Sequence, residues 1–504
     1  MVRHSPEPLL KDLLGERSDR PRYQQLYESL RAAILSGRLR PGEKLPSTRS
    51  MASYLSLSRS TVLNAVDLLL AEGYVEGRRG SGTFVSTSLP EQVGTVASER
   101  PPVSAAQSAA PPLSGFGQRA VAIGYANRAA LPPRPLQPGV PDFADFPLDD
   151  WARMAARVIR NLSASRMSYG DSAGLPELRE AIAVYLRHSR AVRCRPEQVV
   201  IVNGSQQALD LIARLFIDPG DTVAVEDPLY PGTAAACAAA GAFLRGVPVD
   251  AEGMAVERLA GMSPAPRLVC VTPSHQYPLG HTLTLRRRLE LLEWAGSAGA
   301  LVVEDDYDSE FRYTGNPLSS LQGLDEQGRV FYVGTFSKVL FPGLRVGYLV
   351  APPEMAGPVV RARAINDRTA PVLEQLLLAE FLSSGRFGRH LRRMRMRYGE
   401  RQAALVEAFR ERCAQWGRID PAPAGMHLVA HLAPEVSDRA VAKVAAERGL
   451  AVPALSGYCR ERTDLNGLVL GYAGFDPTAI REAVERLAGV LESAPSPPQA
   501  GSSR

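Results

Sequence analysis

The sequence predicts a multi-domain chain: a small N-terminal α+β unit, a long linker and a large C-terminal α/β domain. Three observations carry this. Helical periodicity followed by a short hairpin fills residues 22–85. A Pro/Ala/Ser-rich stretch follows. Beyond about residue 136, short β-branched runs alternate with helical stretches, the pattern of strands buried on both faces of a parallel sheet. The expected division is 20–86 for the head, 87–135 for a flexible linker, 136–490 for the large domain and 491–504 for a disordered tail.

Leu26, Leu30 and Ile34 recur at i, i+4 and i+8, one face of an amphipathic helix. Gly37 stops it, and Pro41-Gly42 marks a turn. Residues 47–55 read as a short second helix. Ser58 is a good N-cap for a third, with Val62, Ala65, Val66, Leu69 and Leu70 as its apolar stripe. Residues 73–77 and 82–85 are strand-like pieces around the turn at 78–81. In the linker, Pro101-Pro102, Pro111-Pro112 and Pro132-Pro133 sit among Ala, Ser and Gln, which bury too little apolar surface to fold. Its most open part, residues 89–113, spans roughly 75 Å at about 3.1 Å per residue. The large domain offers strands at 199–202, 222–225, 267–271, 300–303 and 330–333, separated by helical stretches such as 175–188 and 205–216.

Of the 504 residues, 45% are apolar and 22% charged, an ordinary globular balance with ample core material. No run of 18 apolar residues exists, which argues against a membrane helix. The N-terminus lacks the apolar segment of a secretory signal, and the five cysteines are scattered without a CxxC pair. The expectation is a reducing cytoplasm, without a disulfide framework or a zinc site. Residues 1–85 hold 13 basic and nine acidic residues, so +4 of the net +5 lies there. Only four of the 58 basic residues are lysines: Lys11, Lys44, Lys338 and Lys443. Codon bias explains such a pattern blandly. The sharper reading is that one site needs an amine able to lose its proton, which arginine does not supply.

A basic three-helix unit with a hairpin suits a polyanion. Its third helix carries Arg59, Ser60, Thr61 and Asn64 near the N-terminus, opposite the apolar stripe, where a recognition helix meets base edges. Arg49, Arg78, Arg79 and Gly80 are placed to hold the backbone or minor groove. The bland alternative is an ordinary solvated face. Residues 41–49, 57–62, 70–74 and 79–85 together resemble, in order, the GntR family of winged helix-turn-helix regulators. That resemblance implies DNA contacts at Arg49, Arg59 and Thr61 and a wing tip at Arg79-Gly80. Leu63 departs from it, standing where members often carry an Arg.

Gly334-Thr-Phe-Ser-Lys338 follows a predicted buried strand. A partly desolvated lysine beside hydroxyls is what a Schiff base with an aldehyde cofactor needs. Glu304-Asp-Asp-Tyr-Asp308 ends another strand and offers a carboxylate for a pyridine nitrogen and a phenol for a ring hydroxyl. Asn203-Gly-Ser-Gln-Gln-Ala-Leu209 lies where a strand turns into a helix, an anion site. From about 138 to 490 these segments resemble the fold type I aminotransferases, which depend on pyridoxal 5'-phosphate. The resemblance implies that Lys338 carries the internal aldimine. Asp305 matches the pyridine partner, with Asp306 as its competitor, and Tyr307 matches the donor to the ring oxygen. Tyr230 matches the stacked aromatic residue. Ser205, Gln206, Thr335, Ser337 and Arg345 match phosphate binders. Tyr169 matches a tyrosine that reaches the neighbouring subunit's phosphate, which implies a homodimer with shared sites. Tyr277 stands nearest a position that many aminotransferases fill with Asn. Two departures matter: Val469 falls near the usual carboxylate-binding Arg, and Gly232 stands where some regulators carry another. The basic run from Arg386 to Arg397 reads first as a solvated helix face, second as a further DNA-facing or interdomain surface.

A GntR-like head tethered to an aminotransferase-like domain resembles the MocR subfamily of bacterial transcription regulators. The resemblance implies a cytoplasmic, nucleoid-associated homodimer that binds operator DNA. Its small-molecule effector would be pyridoxal phosphate, an amine or amino acid, or the aldimine of the two. No metal is expected. The alternative is an active aminotransferase with secondary DNA binding, against which the absent carboxylate arginine counts. A third reading keeps the fold and denies the cofactor.

Overall fold

The computed structural model describes residues 20–78, 80–89, 111–125, 132–315 and 319–493. It divides into two units, Met1–Pro112 and Leu113–Arg504. In the first, α1 (Arg22–Leu35), α2 (Thr48–Tyr54) and α3 (Arg59–Ala71) precede the hairpin β1 (Val75–Arg78) and β2 (Gly82–Val85). Ser47 and Ser58 cap α2 and α3 by accepting from the Ser50 and Thr61 amides. Leu26, Leu30, Ile34, Val62, Ala65, Val66 and Leu69 close into one core with Met51, Tyr74 and Val85. Leu70 lies outside it and is exposed, which corrects the expected stripe. About 100° of rotation per residue carries position 70 off the face that Leu69 buries. The hairpin turns through Gly80 and Gly82, at φ +75° and +110°.

The second unit begins earlier than composition suggests. Ser114 caps a helix, α4 (Gly115–Ile123), inside the stretch expected to be open linker. Arg119 Nε donates to the Ala239 carbonyl at 3.0 Å, and the Arg214 guanidinium lies 4.8 Å from the Phe116 ring centroid. Phe116, Val121, Ile123 and Tyr125 are the local signal, diluted by the prolines on either side. Residues 90–110 and 126–131 of the expected linker lie outside the described residues. So do 494–504 of the expected tail, while 491–493 complete the last helix, Pro477–Ser493.

The central sheet comprises β3 (Val199–Val202), β4 (Thr222–Asp227), β5 (Phe243–Asp250), β6 (Gly253–Met254), β7 (Leu268–Val271), β8 (Leu301–Asp306), β9 (Val330–Thr335) and β10 (Gly347–Val350). Their order is β3-β10-β9-β8-β7-β4-β5-β6. From β9 to β5 the neighbours are parallel, as expected. β10 runs antiparallel to both β3 and β9, so the sheet is mixed. Helices α5 (Pro176–Arg190), α6 (Ser205–Phe216) and α7 (Pro231–Ala240) contribute to the packing around it. A second, antiparallel sheet joins β11 (Gly417–Ile419), β12 (His427–Leu432) and β13 (Gly467–Gly471). The carboxyl ends of β3, β4, β7, β8 and β9 share one edge, where open α/β sheets bind ligands.

The basic run lies on the helix Arg386–Arg412, whose buried face is Phe387, His390, Leu391, Met394 and Tyr398. Arg393 and Arg395 donate to the Asp145 and Glu310 carbonyls, and Arg397 pairs with Asp145. Several of these arginines therefore brace their own unit. Among the described residues, no helix is long and apolar enough to cross a membrane.

Leu69 is fully buried in the head core. Leu69→Ala is expected to destabilise the head by about 2–5 kcal/mol. Native-state hydrogen exchange of the α3 amides checks this: protection should fall there and stay unchanged in β8 and β9.

Candidate functional site

The strand ends open onto a cavity of about 970 Å3. Lys338 enters it three residues beyond the end of β9, with Nζ donating to the Gly139 carbonyl at 2.9 Å. Burial lowers the lysine's pKa, and the Asp308 and Asp305 carboxylates oppose that fall. Gly139 has no side chain for good reason, since a Cβ there would stand 2.8 Å from Nζ.

Successive side chains on a strand point to opposite faces, and this separates the two aspartates of β8. Asp306 accepts from Arg190 Nε at 2.9 Å, from Tyr332 Oη at 2.5 Å and from Ser309 Oγ at 2.8 Å. Its acceptor capacity is taken up away from the cavity. Asp305 lines the cavity instead, and its buried Oδ1 has no hydrogen-bond partner among the described residues. Burial pushes Asp305 up to about 7, and the Asp306 charge adds to it. A protonated pyridine nitrogen is the kind of donor this oxygen lacks.

Tyr307 follows, and His275 sits against it. His275 Nδ1 lies 3.0 Å from Asp308 Oδ2 and 2.9 Å from Tyr307 Oη. An ionised Asp308 carboxylate accepts only, so an Nδ1 proton directed at it leaves the Tyr307 O–H to donate into the cavity. Burial, then the Asp308 charge, holds the Tyr307 pKa well above the usual phenol range, so the hydroxyl keeps its proton.

At the far side, Gly204 takes φ +107° and α6 begins at Ser205. The first amides of a helix have no intrahelical acceptor and favour anions. At that φ a side chain would be strained, so glycine suits this turn, and the Arg345 guanidinium lies 3.5 Å from where a Cβ would stand. Ser205, Gln206, Thr335, Ser337 and Arg345 all line the cavity. Gln206 Nε2 donates to the Gly232 carbonyl at 3.0 Å, and its buried Oε1 lacks a partner among the described residues.

An aromatic wall completes the cavity. The Tyr230 and Tyr277 rings meet edge to face at 5.7 Å, and Tyr277 Oη donates to Tyr458 Oη at 3.2 Å. Tyr125, just past α4, brings its hydroxyl to 3.5 Å from that of Tyr230. His427 Nε2 lies 3.0 Å from the Pro278 carbonyl. Sequence reasoning passes over His275, Asp308, Tyr125, His427 and Tyr458 as site residues. Their partners lie 33 residues away for His275 and Asp308, 105 for Tyr125 and 181 for Tyr458, which no local pattern reports. Tyr169 is the one expected cofactor residue not brought here. It is exposed, lies under the Arg368 guanidinium at 5.1 Å and lines a separate cleft.

The orphaned Asp305 oxygen, the open cradle beside Arg345 and the donor set fit pyridoxal phosphate. Lys338 would hold its aldehyde end, Asp305 its pyridine nitrogen, Tyr307 its ring oxygen and Tyr230 a ring face.

In the head, Arg49, Arg59, Ser60 and Asn64 are exposed, and Gly80 forms the hairpin turn. Thr61 is half-buried. Its Oγ1 lies 2.7 Å from Ser58 Oγ, and Ser60 Oγ lies 2.8 Å from the same atom. Both hydroxyls thus belong to the cap of α3 as well as to the expected DNA face. Arg78 pairs with Glu76 at 2.6 Å and covers the Phe84 ring, so it is held within the hairpin. Leu63 is 46% exposed beside Asn64. Arg79 lies outside the described residues.

Asp305→Asn is expected to weaken pyridoxal phosphate binding roughly ten- to hundredfold, the range for losing a charge-assisted hydrogen bond. Absorbance titration measures it. The apo-protein carries a second signature. The folded-state pKa of Asp305 is raised from 3.8 to about 7, so its contribution to stability is full below the lower value and declines as pH rises to the upper one. The Tm of Asp305→Asn relative to apo wild type should therefore climb across that window and then level off.

Residues 22–85 match the family described as bacterial regulatory proteins, gntR family. Residues 135–487 match aminotransferase class I and II. The "Probable rhizopine catabolism regulatory protein MocR" of Rhizobium meliloti is 42% identical over 94% of both chains. The pyridoxine biosynthesis transcriptional regulator PdxR of Corynebacterium glutamicum is 34% identical over 91% of this chain and 93% of its own. The crystal structure of LysN, the α-aminoadipate aminotransferase of Thermus thermophilus complexed with N-(5'-phosphopyridoxyl)-L-leucine, superposes with a TM-score of 0.66. It is 33% identical and covers 71% of this chain and 92% of that one. A head of one kind and a cavity of the other, joined in one chain that MocR matches nearly end to end, place this protein in the MocR group of GntR-type regulators with an aminotransferase class I and II domain.

Proposed function

We propose that this chain is a DNA-binding transcriptional regulator that senses pyridoxal 5'-phosphate, alone or carrying an amine, in its C-terminal unit. The observation that carries the reading is the pairing of an exposed α3 face with Asp305, Tyr307, Tyr230 and the Arg345 cradle gathered around Lys338. The name of the PdxR relative supports the cofactor as effector. When bound, pyridoxal phosphate supplies an aldehyde that condenses with primary amines. Lys338, partly desolvated, is the amine positioned to hold it. Asp305 keeps the pyridine nitrogen protonated. Arg345, Thr335, Ser337 and the start of α6 hold the phosphate.

A regulator must also pass occupancy on. α4 is the first described helix of the C-terminal unit, and Tyr125 behind it touches Tyr230 across the cavity wall. A ligand that moves Tyr230 therefore acts on the segment nearest the tether. Such coupling requires that the ligand bind two arrangements of the protein with different affinity. In this reading the chain works in the cytoplasm as a homodimer, with Tyr169 serving the neighbouring subunit's phosphate site.

Titrating pyridoxal phosphate into apo-protein at fixed salt is expected to change the affinity for its own promoter DNA at least about fivefold. An unchanged affinity overturns the reading. Arg59→Ala should weaken promoter binding by about 1–3 kcal/mol while leaving the cofactor absorbance intact. Lys338→Ala should abolish the visible absorption band.

The second reading is an active aminotransferase, favoured by the intact Lys338, Asp305 and Tyr307. Sustained conversion of an amino donor, dependent on a keto acid, would establish it in place of the first.

A further inference from the structure

Helix α3 buries Val62, Ala65, Val66 and Leu69 in the head core. Arg59, Ser60, Leu63 and Asn64 lie off that face and are exposed. Leu63 is 46% exposed and takes no part in the core. Residues three and four apart on a helix are neighbours, so Ser60 and Arg59 flank Leu63 on the preceding turn and Asp67 follows on the next. A single hydrocarbon side chain thus stands among polar ones.

A lone exposed leucine is ordinary on a protein surface. The place of this one is not, because the first two turns of a recognition helix are the part that meets base edges. The exposed Asp67 carboxylate sets the far limit of that part, since it repels phosphate. The stretch that approaches DNA therefore ends with Asn64. Leu68 and Leu70, the other exposed leucines of α3, lie beyond it.

Within 59–64, the polar side chains suit particular base edges: Arg59 guanine, Asn64 adenine and Ser60 several. Leu63 has no hydrogen-bonding atom in its side chain. Laid against donors and acceptors, it would desolvate them and give nothing in return, which is unfavourable. The major groove presents one apolar group, the C5 methyl of thymine.

Resting on the assignment of the α3 face to DNA, we propose that Leu63 is a specificity-determining residue. It packs on a thymine methyl in the major groove and favours T·A at the base pair it faces.

The test uses the full-length protein and a duplex from its own promoter in which thymines are replaced, one at a time, by deoxyuridine. That exchange removes the methyl and leaves every hydrogen-bonding group of the base in place. At one thymine or more, the exchange is expected to weaken wild-type binding roughly two- to fivefold, the worth of one buried methyl. Leu63→Ala should bind the unmodified duplex more weakly by a similar factor and be indifferent to the exchange at those same positions. Leu63→Met, which keeps the hydrocarbon, should retain the sensitivity. The salt dependence of Leu63→Ala should match wild type, because no phosphate contact is lost. A wild type indifferent to every exchange overturns the proposal, as does a Leu63→Ala variant that keeps the full sensitivity. Unchanged DNA affinity in Leu63→Ala with a lower sedimentation mass also overturns it, and assigns Leu63 to a contact between copies of the chain. If Arg59→Ala likewise leaves promoter binding untouched, the α3 face is not the DNA face and the underlying reading fails. If Arg59→Ala weakens binding and no methyl matters, only this inference fails.

Discussion

Arg190 and Asp306 meet at 2.9 Å, with 5% and 2% of their side chains exposed. Removing one partner of such a buried pair typically destabilises a protein by about 3–5 kcal/mol, because the other charge is left uncompensated. The pair joins the last residue of α5 to the last residue of β8. It fixes which way Asp306 faces, and strand alternation then decides Asp305. With Tyr332 and Ser309 completing the shell of Asp306, the register of β8 against β9 is held where the two strands deliver Asp305 and Thr335 to one edge. The place of Asp305 in the cavity wall follows from that anchoring.

Around this anchor the site gathers groups that fold unwillingly. Burial raises Asp305 to about 7, raises Asp308 and lowers Lys338. Such groups weaken the empty protein and strengthen the hold on a ligand that satisfies them. His275 belongs to the same design. It touches no expected position of a cofactor atom, yet it sets the direction of the Tyr307 proton through its contact with Asp308.

Between head and cavity lies a segment whose composition misleads. Proline, alanine and serine dominate 87–135, and averaging over that window hides a nine-residue helix. α4 holds to α6 and α7 through a few specific contacts, not through a broad apolar face. Its Val121 is 70% exposed, and the binding comes from Phe116 under Arg214 and from Arg119 on a carbonyl. Periodicity detects helices that bury a stripe, so it passes over one of this kind.

Much was determined by the sequence alone. Capping serines, periodic leucines and β-branched runs are local signals, and they place α1 to α3 and the five strands around the site close to where they lie. The lone Lys338 and the order of motifs point to the cofactor chemistry. Tertiary structure decided what depends on facing and distance. Asp305 and Asp306 are the same residue type one position apart, and only the presence of Arg190 beyond β8 tells them apart. β10 escapes a local reading because it is only four residues long, and its antiparallel place between β3 and β9, with Gly347 closely approaching Gly204, is set by partners distant in sequence. The absence of an arginine at Val469 is visible in the chain. That hydrocarbon fills the place, and that tyrosines from four distant segments line one cavity, is not, because side chains brought together from far apart in the chain leave no local pattern.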